Sequence, residues 1–290
     1  MAIPRAVLVG LIGSGIGPSR SPALHMAEGA ANGLSYIYRP IDLDAPGLGP
    51  ARLPELIAMA RHFGFAGLNI THPCKQSVIP LLDELSDEAR SVGAVNTVVF
   101  DAARRSVGYN TDWFGFAEGL RRELPDAPRA NVVQLGAGGA GAAVGYALLR
   151  SRVDRLAIFD TERPRAERLA AGLNARFGPD RAAVVDDPQP ALDRADGLVN
   201  TTPVGMAGHP GTPIAAELLR PDLWVADVVY FPLETELLKA ARACGCRTMS
   251  GGAMAVFQAV GAFRLFTGIE PGAERMLRHF ATMDREPARC

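Results

Sequence analysis

Short apolar runs alternate along this chain with longer stretches in which apolar residues recur every three or four positions. The first run covers residues 6–12. Ser21-Pro22 then carries the marks of a helix start, an N-cap serine with proline at the first helical position, for a helix to about Asn32. Residues 36–43 have strand character, 53–63 have helical spacing and stop at Gly64, and 65–70 form a further strand. Pro73 opens a predicted helix carrying Lys75, Ser86-Asp87-Glu88 starts another, and 95–100 is the next strand. Strands alternating with helices imply a mainly parallel sheet.

Residues 112–124 read as a connecting helix, and 125–129 are a polar, Pro-containing break. A second alternating series follows. Its predicted strands are 132–135, 155–160, about 182–186, 197–201, 223–230 and about 246–249, with helices at about 140–151, 164–177 and 235–244. After Ser250-Gly-Gly252 comes a long helix, 253–267, closed by Gly268, and a last one from about Glu270. No strand follows these two, so they are expected to pack back on the first domain and make it discontinuous. The expected fold is α/β. An N-terminal α/β substrate domain with a mainly parallel sheet takes residues 1–113 plus 255–290, and a Rossmann doubly wound dinucleotide-binding domain takes 114–254.

Where the strand 132–135 ends, the chain reads Gly136-Ala-Gly-Gly-Ala-Gly141 and then turns helical. Gly136 permits the tight turn, Gly138 lets backbone approach a pyrophosphate, and Gly141 lets the helix lie close to the strand. Free N–H groups at the helix start, around Gly139 and Ala140, then face the phosphates. Asp160 ends the next apolar run, about 20 residues past the glycines, where an acid holds an adenosine ribose. That second match raises the glycine pattern above a bare turn.

Composition narrows the picture by exclusion. The 290 residues suit about two domains, and 48% hydrophobic content is ample for two cores. Lys+Arg 30 against Asp+Glu 31 gives a net charge of −1, which predicts neither a nucleic-acid nor a membrane surface. No apolar run reaches the ~18 residues that span a bilayer, and the N-terminal run is too short for a signal peptide, so a cytoplasmic protein is expected. The four cysteines include no C-x-x-C pair; Cys244 and Cys246 are one residue apart, while Cys74 and Cys290 stand alone. The five histidines form no ligand cluster, so no metal is expected.

A dinucleotide domain needs a substrate domain, and the first third holds compact polar clusters in apolar surroundings. They are Ser19-Arg-Ser21-Pro, Asn69-Ile-Thr-His-Pro-Cys-Lys75, Gly93-Ala-Val-Asn96-Thr97 and Asn110-Thr111-Asp112. Loops at the carboxyl ends of parallel strands are where α/β folds bind ligands. Oxidising an alcohol requires loss of a hydride and loss of a proton to a base, and Lys75 with Asp112 can supply the proton transfer. Taken singly, Lys75 reads as a solvated side chain, Asp112 and Ser21 as helix caps, and His25 and His72 as structural or surface residues. The clusters together favour a site.

These segments resemble the shikimate dehydrogenase family over roughly residues 7–285, and more closely its quinate/shikimate dehydrogenase branch. Ser19-Arg-Ser-Pro-Ala-Leu-His25 is similar to the family's S-x-S-P…H segment, and Asn69–Lys75 to its N-x-T-x-P-x-K motif, whose lysine is catalytic. Gly93–Thr97 matches its G-A-V-N-T, Asn110–Asp112 its N-T-D, and Asp227-Val-Val-Tyr230 and Gly252…Met254…Gln258 match later segments. The resemblance implies a reversible oxidation of shikimate, and of quinate as a further candidate, to the ring ketone. It implies Lys75 and Asp112 as the catalytic dyad. Ser19, Ser21, Asn69, Thr71, Asn96 and Gln258 would contact substrate hydroxyls and carboxylate, with Tyr230 nearby. Gly136, Gly138, Gly139, Ala140 and Gly141 would cradle the pyrophosphate, Asn200-Thr201-Thr202-Pro203 and Gly252 would line the nicotinamide side, and Val228 would be a further cofactor contact.

The sequence departs from the family in two places. Gly17-Pro18 replaces the usual basic side chain before S-x-S-P. Asp160-Thr-Glu-Arg-Pro-Arg165 replaces the Asn-Arg-Thr segment of common NADP-dependent members. An acid repels a 2′-phosphate and bonds a 2′-hydroxyl, so NAD is the preferred cofactor; Arg163 and Arg165 keep NADP as a second candidate. The expected partner is a small polyhydroxylated cyclohexane or cyclohexene carboxylate, with no nucleic acid and no membrane, and the protein is expected as a monomer or homodimer. Two alternatives are an aminoshikimate/aminoquinate dehydrogenase of a specialised pathway and a non-catalytic dinucleotide sensor on the same fold.

Overall fold

The computed structural model describes residues 5–283. The chain forms two compact units, one running to Thr111 and resuming at Val256, the other Asp112–Ala255.

The first unit is built on six strands, β1 (Ala6–Gly13), β2 (Ser35–Asp42), β3 (Gly67–Ile70), β4 (Glu84–Leu85), β5 (Thr97–Phe100) and β6 (Ser106–Tyr109), in the order β2-β1-β3-β5-β6-β4. β1 pairs parallel with β2 and β3, and β4 parallel with β6. β5 is antiparallel to both β3 and β6, so the sheet is mixed. β5 and β6 are joined by a short turn, which only antiparallel neighbours can use. Helices α1 (Ser21–Ala31), α2 (Leu53–His62) and α3 (Asp87–Val92) cover the sheet. One buried cluster joins Ile12, Leu68, Ile70 and Val98 to Leu53 and Ile57 of α2. A second joins Val7, Val9 and Leu11 to Tyr36, Tyr38, Phe263 and Phe266. The two phenylalanines belong to the long C-terminal helix, which is why its later turns join the first unit.

Two expectations about this unit are corrected. Lys75 rides on consecutive turns rather than a helix. The carbonyls that a helix would use are taken elsewhere: His72 O accepts from the Ser14 amide and Lys75 O from the Val95 amide. Ser21 is also not the cap of α1. The cap position is Arg20, with no side-chain cap bond, and Ser21 is already helical.

The second unit stacks β7 (Asn131–Leu135), β8 (Arg155–Phe159), β9 (Ala182–Val184), β10 (Gly197–Asn200), β11 (Trp224–Asp227) and β12 (Arg247–Met249) in the order β12-β11-β10-β7-β8-β9. All five pairings are parallel. Its helices are α4 (Asp112–Glu123), α5 (Gly139–Arg150), α6 (Arg163–Phe177), the one-turn α7 (Gln189–Leu192) and α8 (Glu236–Cys244). The strand order reverses between β7 and β10, the switch point at which such sheets bind ligands. The last elements among the described residues are α9 (Gly251–Thr267), shared between the units, and α10 (Ala273–Thr282).

α10 is tied to α1 by a buried acid. Glu28 accepts from Arg275 Nε and Nη2 at 2.8 and 2.6 Å and from the Gly272 amide at 2.8 Å. Among the described residues Cys74, Cys244 and Cys246 are free thiols, no group of acids, histidines or cysteines is arranged to hold a metal ion, and no helix is long and apolar enough to cross a membrane. Cys290 lies outside the described residues.

Candidate active site

In the first unit the polar clusters gather at one edge of the sheet. β1 and β3 reach that edge with their carboxyl ends. Because β5 is antiparallel, it brings its start there: Asn69 stands opposite Thr97, and Thr97 opposite Tyr109. Asn96, Asn110 and Thr111 are therefore neighbours of Asn69 despite their distance in sequence.

Hydrogen bonds join these side chains into one buried web. Tyr38 Oη donates to Asn69 Oδ1 at 2.8 Å. Asn69 Nδ2 donates to Asn96 O at 3.2 Å and to Thr97 Oγ1 at 3.1 Å. Thr97 Oγ1 donates to Asn96 Oδ1 at 3.0 Å, and Asn96 Nδ2 donates to Thr111 Oγ1 at 2.9 Å. The Thr111 amide closes the web on Asn96 Oδ1 at 2.7 Å. Asn69, Asn96, Thr97 and Thr111 are all buried.

The other predicted substrate contacts of this unit lie on loops fixed by the same edge. Asp42 accepts from the Gly15 and Ile16 amides, each at 3.1 Å, and so shapes the loop leading to Ser19. Ser19 Oγ accepts from the Ser21 amide at 3.4 Å. Ser21 and Thr71 are both half-buried, and among the described residues their hydroxyls make no hydrogen bond within the protein. A Cβ on Gly13 would lie 2.3 Å from Thr71 Cγ2, so only glycine lets β1 end this close to the Thr71 loop. Lys75 is half-buried on its turn above the buried Cys74, whose thiol burial pushes upward. Gln258 is half-buried on α9. His25 is not part of the web: its ring is fully buried among Tyr36, Tyr38, Phe263 and Phe266, and burial lowers its pKa to about 3.

In the second unit every predicted cofactor residue follows a parallel strand. Gly136 follows β7 with φ +98°, a conformation that side chains rarely adopt. A Cβ on Gly141 would lie 2.4 Å from Gly136 O. Gly138 is the N-cap of α5 without a side-chain cap, and Gly139 and Ala140 follow it, so the first amides of α5 are available to an anion. Asp160, after β8, accepts from the Ala137 amide at 2.7 Å and from the Glu162 amide at 2.8 Å. Arg165 is exposed and ion-paired with Glu162 at 2.8 Å, while Arg163 pairs with Glu167 and Asp186. Thr201, after β10, donates to the Leu135 and Gly136 carbonyls at 2.7 and 2.9 Å. Val228 and Tyr230 follow β11, and Gly252 lies in the first turn of α9 after β12. Asp112 is buried at the start of α4. These features fit a dinucleotide: close backbone, free amides and an oriented carboxylate.

A polar core supports the strand ends beneath these loops. The fully buried Asp227 accepts from Asn200 Nδ2 at 3.0 Å, the Val229 amide at 3.0 Å and Thr235 Oγ1 at 2.8 Å. Burial pushes its carboxyl up to about 6. Gln134, also fully buried, donates to the Gly136 and Gly141 carbonyls, both at 2.9 Å, and so braces the glycine turn.

Sequence reading did not assign Tyr38, Thr97 or Gln134. Gln134 did carry a signal, since a glutamine inside Val-Val-Gln-Leu is a polar residue at a buried strand position. Tyr38 carried none, because a tyrosine in a strand looks like any core aromatic.

Comparison with known proteins finds a family and near relatives for this chain. A family model described as the shikimate dehydrogenase substrate binding domain matches residues 11–98. The chain is 58% identical over 278 residues to the shikimate dehydrogenase (NADP(+)) of Streptomyces avermitilis, covering 95% of each chain. It is 50% identical over 280 residues to the quinate/shikimate dehydrogenase (NAD(+)) of Corynebacterium efficiens, covering 96% of this chain and 99% of that one. Among solved structures it is similar to the quinate dehydrogenase from Corynebacterium glutamicum in complex with NAD, with a TM-score of 0.90, 49% identity, and 96% and 99% of the two chains covered.

Proposed function

Because the chain belongs to the shikimate dehydrogenase family, we propose that it reversibly oxidises a ring hydroxyl of shikimate to a ketone with a nicotinamide cofactor, and that quinate is its second substrate. It is an NAD(P)-dependent oxidoreductase, as are these relatives. The observation that carries the reading is the pairing of two built features on one chain. One is the buried carboxamide and hydroxyl web around Asn69 and Asn96, and the other is the glycine turn with Asp160 bonded to it. A small polyol carboxylate has many hydroxyls to satisfy, and a fixed array of amides and hydroxyls suits it.

In this reading the first unit binds the substrate. Ser19, Ser21 and Thr71 take the carboxylate and nearby hydroxyls, and Asn69, Asn96 and Gln258 take the ring hydroxyls, with Tyr230 as a further substrate contact. Lys75 takes the proton from the reacting hydroxyl oxygen in oxidation and returns it in reduction, and Asp112 orients that exchange. The second unit holds the dinucleotide: Gly136, Gly138, Gly139, Ala140 and Gly141 at the pyrophosphate, Asp160 at the ribose, and Thr201, Val228 and Gly252 at the nicotinamide. When bound, the nicotinamide supplies the hydride acceptor or donor.

NAD is the preferred cofactor. Both oxygens of Asp160 accept backbone bonds and keep lone pairs that suit ribose hydroxyls and repel a 2′-phosphate. The two nearby arginines that would bind such a phosphate already pair with acids. Arg165 would have to leave Glu162 to serve NADP. We read it as a cytoplasmic enzyme.

The test is absorbance at the reduced-nicotinamide band with purified protein, using shikimate and quinate, each with NAD and with NADP. Turnover of shikimate with NAD is expected. Absence of turnover in all four combinations, with cofactor still bound, would point to a dinucleotide sensor instead.

A further inference from the structure

The two asparagines of the substrate web pose a specific chemical problem. A carboxamide has nearly the same shape when its oxygen and nitrogen are exchanged, so packing alone does not decide which end faces a ligand. Only bonding decides. For a polyol substrate the choice matters, because one end accepts a hydrogen bond and the other donates.

We propose that Thr97 is a positioning residue that couples the orientations of both carboxamides, and with them the donor and acceptor pattern offered to the substrate. The proposal rests on the reading that Asn69 and Asn96 hold substrate. Thr97 stands opposite Asn69 in the β3–β5 ladder and directly follows Asn96. Its single hydroxyl serves both amides, but in opposite senses. It accepts from Asn69 Nδ2 at 3.1 Å and donates to Asn96 Oδ1 at 3.0 Å.

Reversing either amide breaks this arrangement. A flipped Asn69 would set its oxygen against the Asn96 carbonyl, which now accepts at 3.2 Å, and would call the Thr97 proton away from Asn96 Oδ1. It would also turn its nitrogen toward the Tyr38 hydroxyl, which now donates at 2.8 Å. A flipped Asn96 would set its nitrogen against the Thr111 amide proton and leave the Thr97 hydroxyl facing two amide donors with no acceptor for its own proton among the two asparagines. Thr97 is fully buried, so no water can take over its hydroxyl's role. The Thr111 hydroxyl, 3.4 Å away, accepts from Asn96 Nδ2 and donates to Asn96 Oδ1 at 3.3 Å, but no bond joins it to Asn69, so the link between the two carboxamides runs through Thr97. One hydroxyl thus couples the two amides: with their orientations set, Asn69 offers an oxygen lone pair to a substrate hydroxyl.

The experiment compares Thr97→Val, which nearly keeps the shape and removes the hydroxyl, with Thr97→Ser, which keeps the hydroxyl. Steady-state KM and kcat are measured for shikimate and for NAD, alongside thermal unfolding. Thr97→Val is expected to raise the shikimate KM by about tenfold or more, the loss of a buried hydrogen-bond pair, with the NAD KM unchanged. Thr97→Ser is expected to stay within about threefold of the native enzyme. Thr97→Ala replaces valine if valine does not fold, with the same expectation. A shikimate KM within about threefold of native for the hydroxyl-free variant, or equal impairment of Thr97→Ser, overturns the proposal. Asn69→Ala and Asn96→Ala are run beside them. If these raise KM while Thr97→Val does not, only the role of Thr97 fails. If neither changes KM, the placing of substrate on the asparagines fails, and the role of Thr97 with it.

Discussion

The carboxylate of Asp160 accepts the amide proton of Ala137 at 2.7 Å. The acid that ends β8 is thereby fastened to the turn that ends β7, and its position is set before any ligand arrives. From this we expect kcat/KM to be higher with NAD than with NADP. A charge-assisted bond of this kind is worth about 1.5–3 kcal/mol, or roughly 10–100-fold. Asp160→Ala should narrow the preference chiefly by weakening NAD. Equal or better kcat/KM with NADP in the native protein would refute it.

Gly141 tests the same turn from the other side. Its added methyl would meet Gly136 O at 2.4 Å, so backbone must shift where the pyrophosphate is expected. Gly141→Ala should raise the NAD KM by about tenfold or more and lower stability by roughly 1–3 kcal/mol, the usual cost of overpacking. The shikimate KM, measured at saturating NAD, should change little. An unaltered NAD KM would show that the turn has slack.

Much of this site was legible because its residues sit beside punctuation. The glycine turn, Asp160 and the Asn69–Lys75 cluster each follow an apolar run, and the structure puts each at a strand end. What was not legible depends on partners far away in the chain. The segment around Lys75 looked helical because Pro73 precedes it, yet Ser14 and Val95 hold the carbonyls that a helix needs. Strands β4 and β6 escaped because one has two residues and the other contains Gly108, leaving little periodicity to read. In the sequence Thr97 marks only the end of a polar cluster, and the antiparallel pairing that sets it opposite Asn69 is what gives its hydroxyl two amides to serve.

Lys75 and Asp112 carry the proton-transfer reading, and their variants separate chemistry from binding. Lys75→Ala should lower kcat by about 10²–10⁴-fold, the range for a positioned acid or base, with the NAD KM little changed. Asp112→Ala should lower kcat and also raise the shikimate KM, since its carboxylate orients the hydroxyl. If Lys75→Ala keeps near-native kcat while only KM rises, Lys75 is a binding residue and another group moves the proton.

Asp227 gives a prediction about pH rather than rate. Its carboxyl is fully buried, and burial pushes it from 3.8 up to about 6, against the three bonds that favour the ionised form. The folded state therefore binds this proton more tightly than the unfolded chain does. Stability from that preference is fully present below about 3.8 and is lost as pH rises through about 6. A shift of that size corresponds to roughly 3 kcal/mol. Asparagine does not titrate, so Asp227→Asn removes the pH dependence and leaves a constant offset. That offset is unfavourable, because an amide must donate where the carboxylate only accepts and Thr235 or Asn200 must reverse. Urea unfolding of both proteins across this window should show the native protein losing ground to Asp227→Asn by roughly 3 kcal/mol as pH rises. A stability difference that stays flat with pH would mean that Asp227 keeps its ordinary carboxylate behaviour despite its burial.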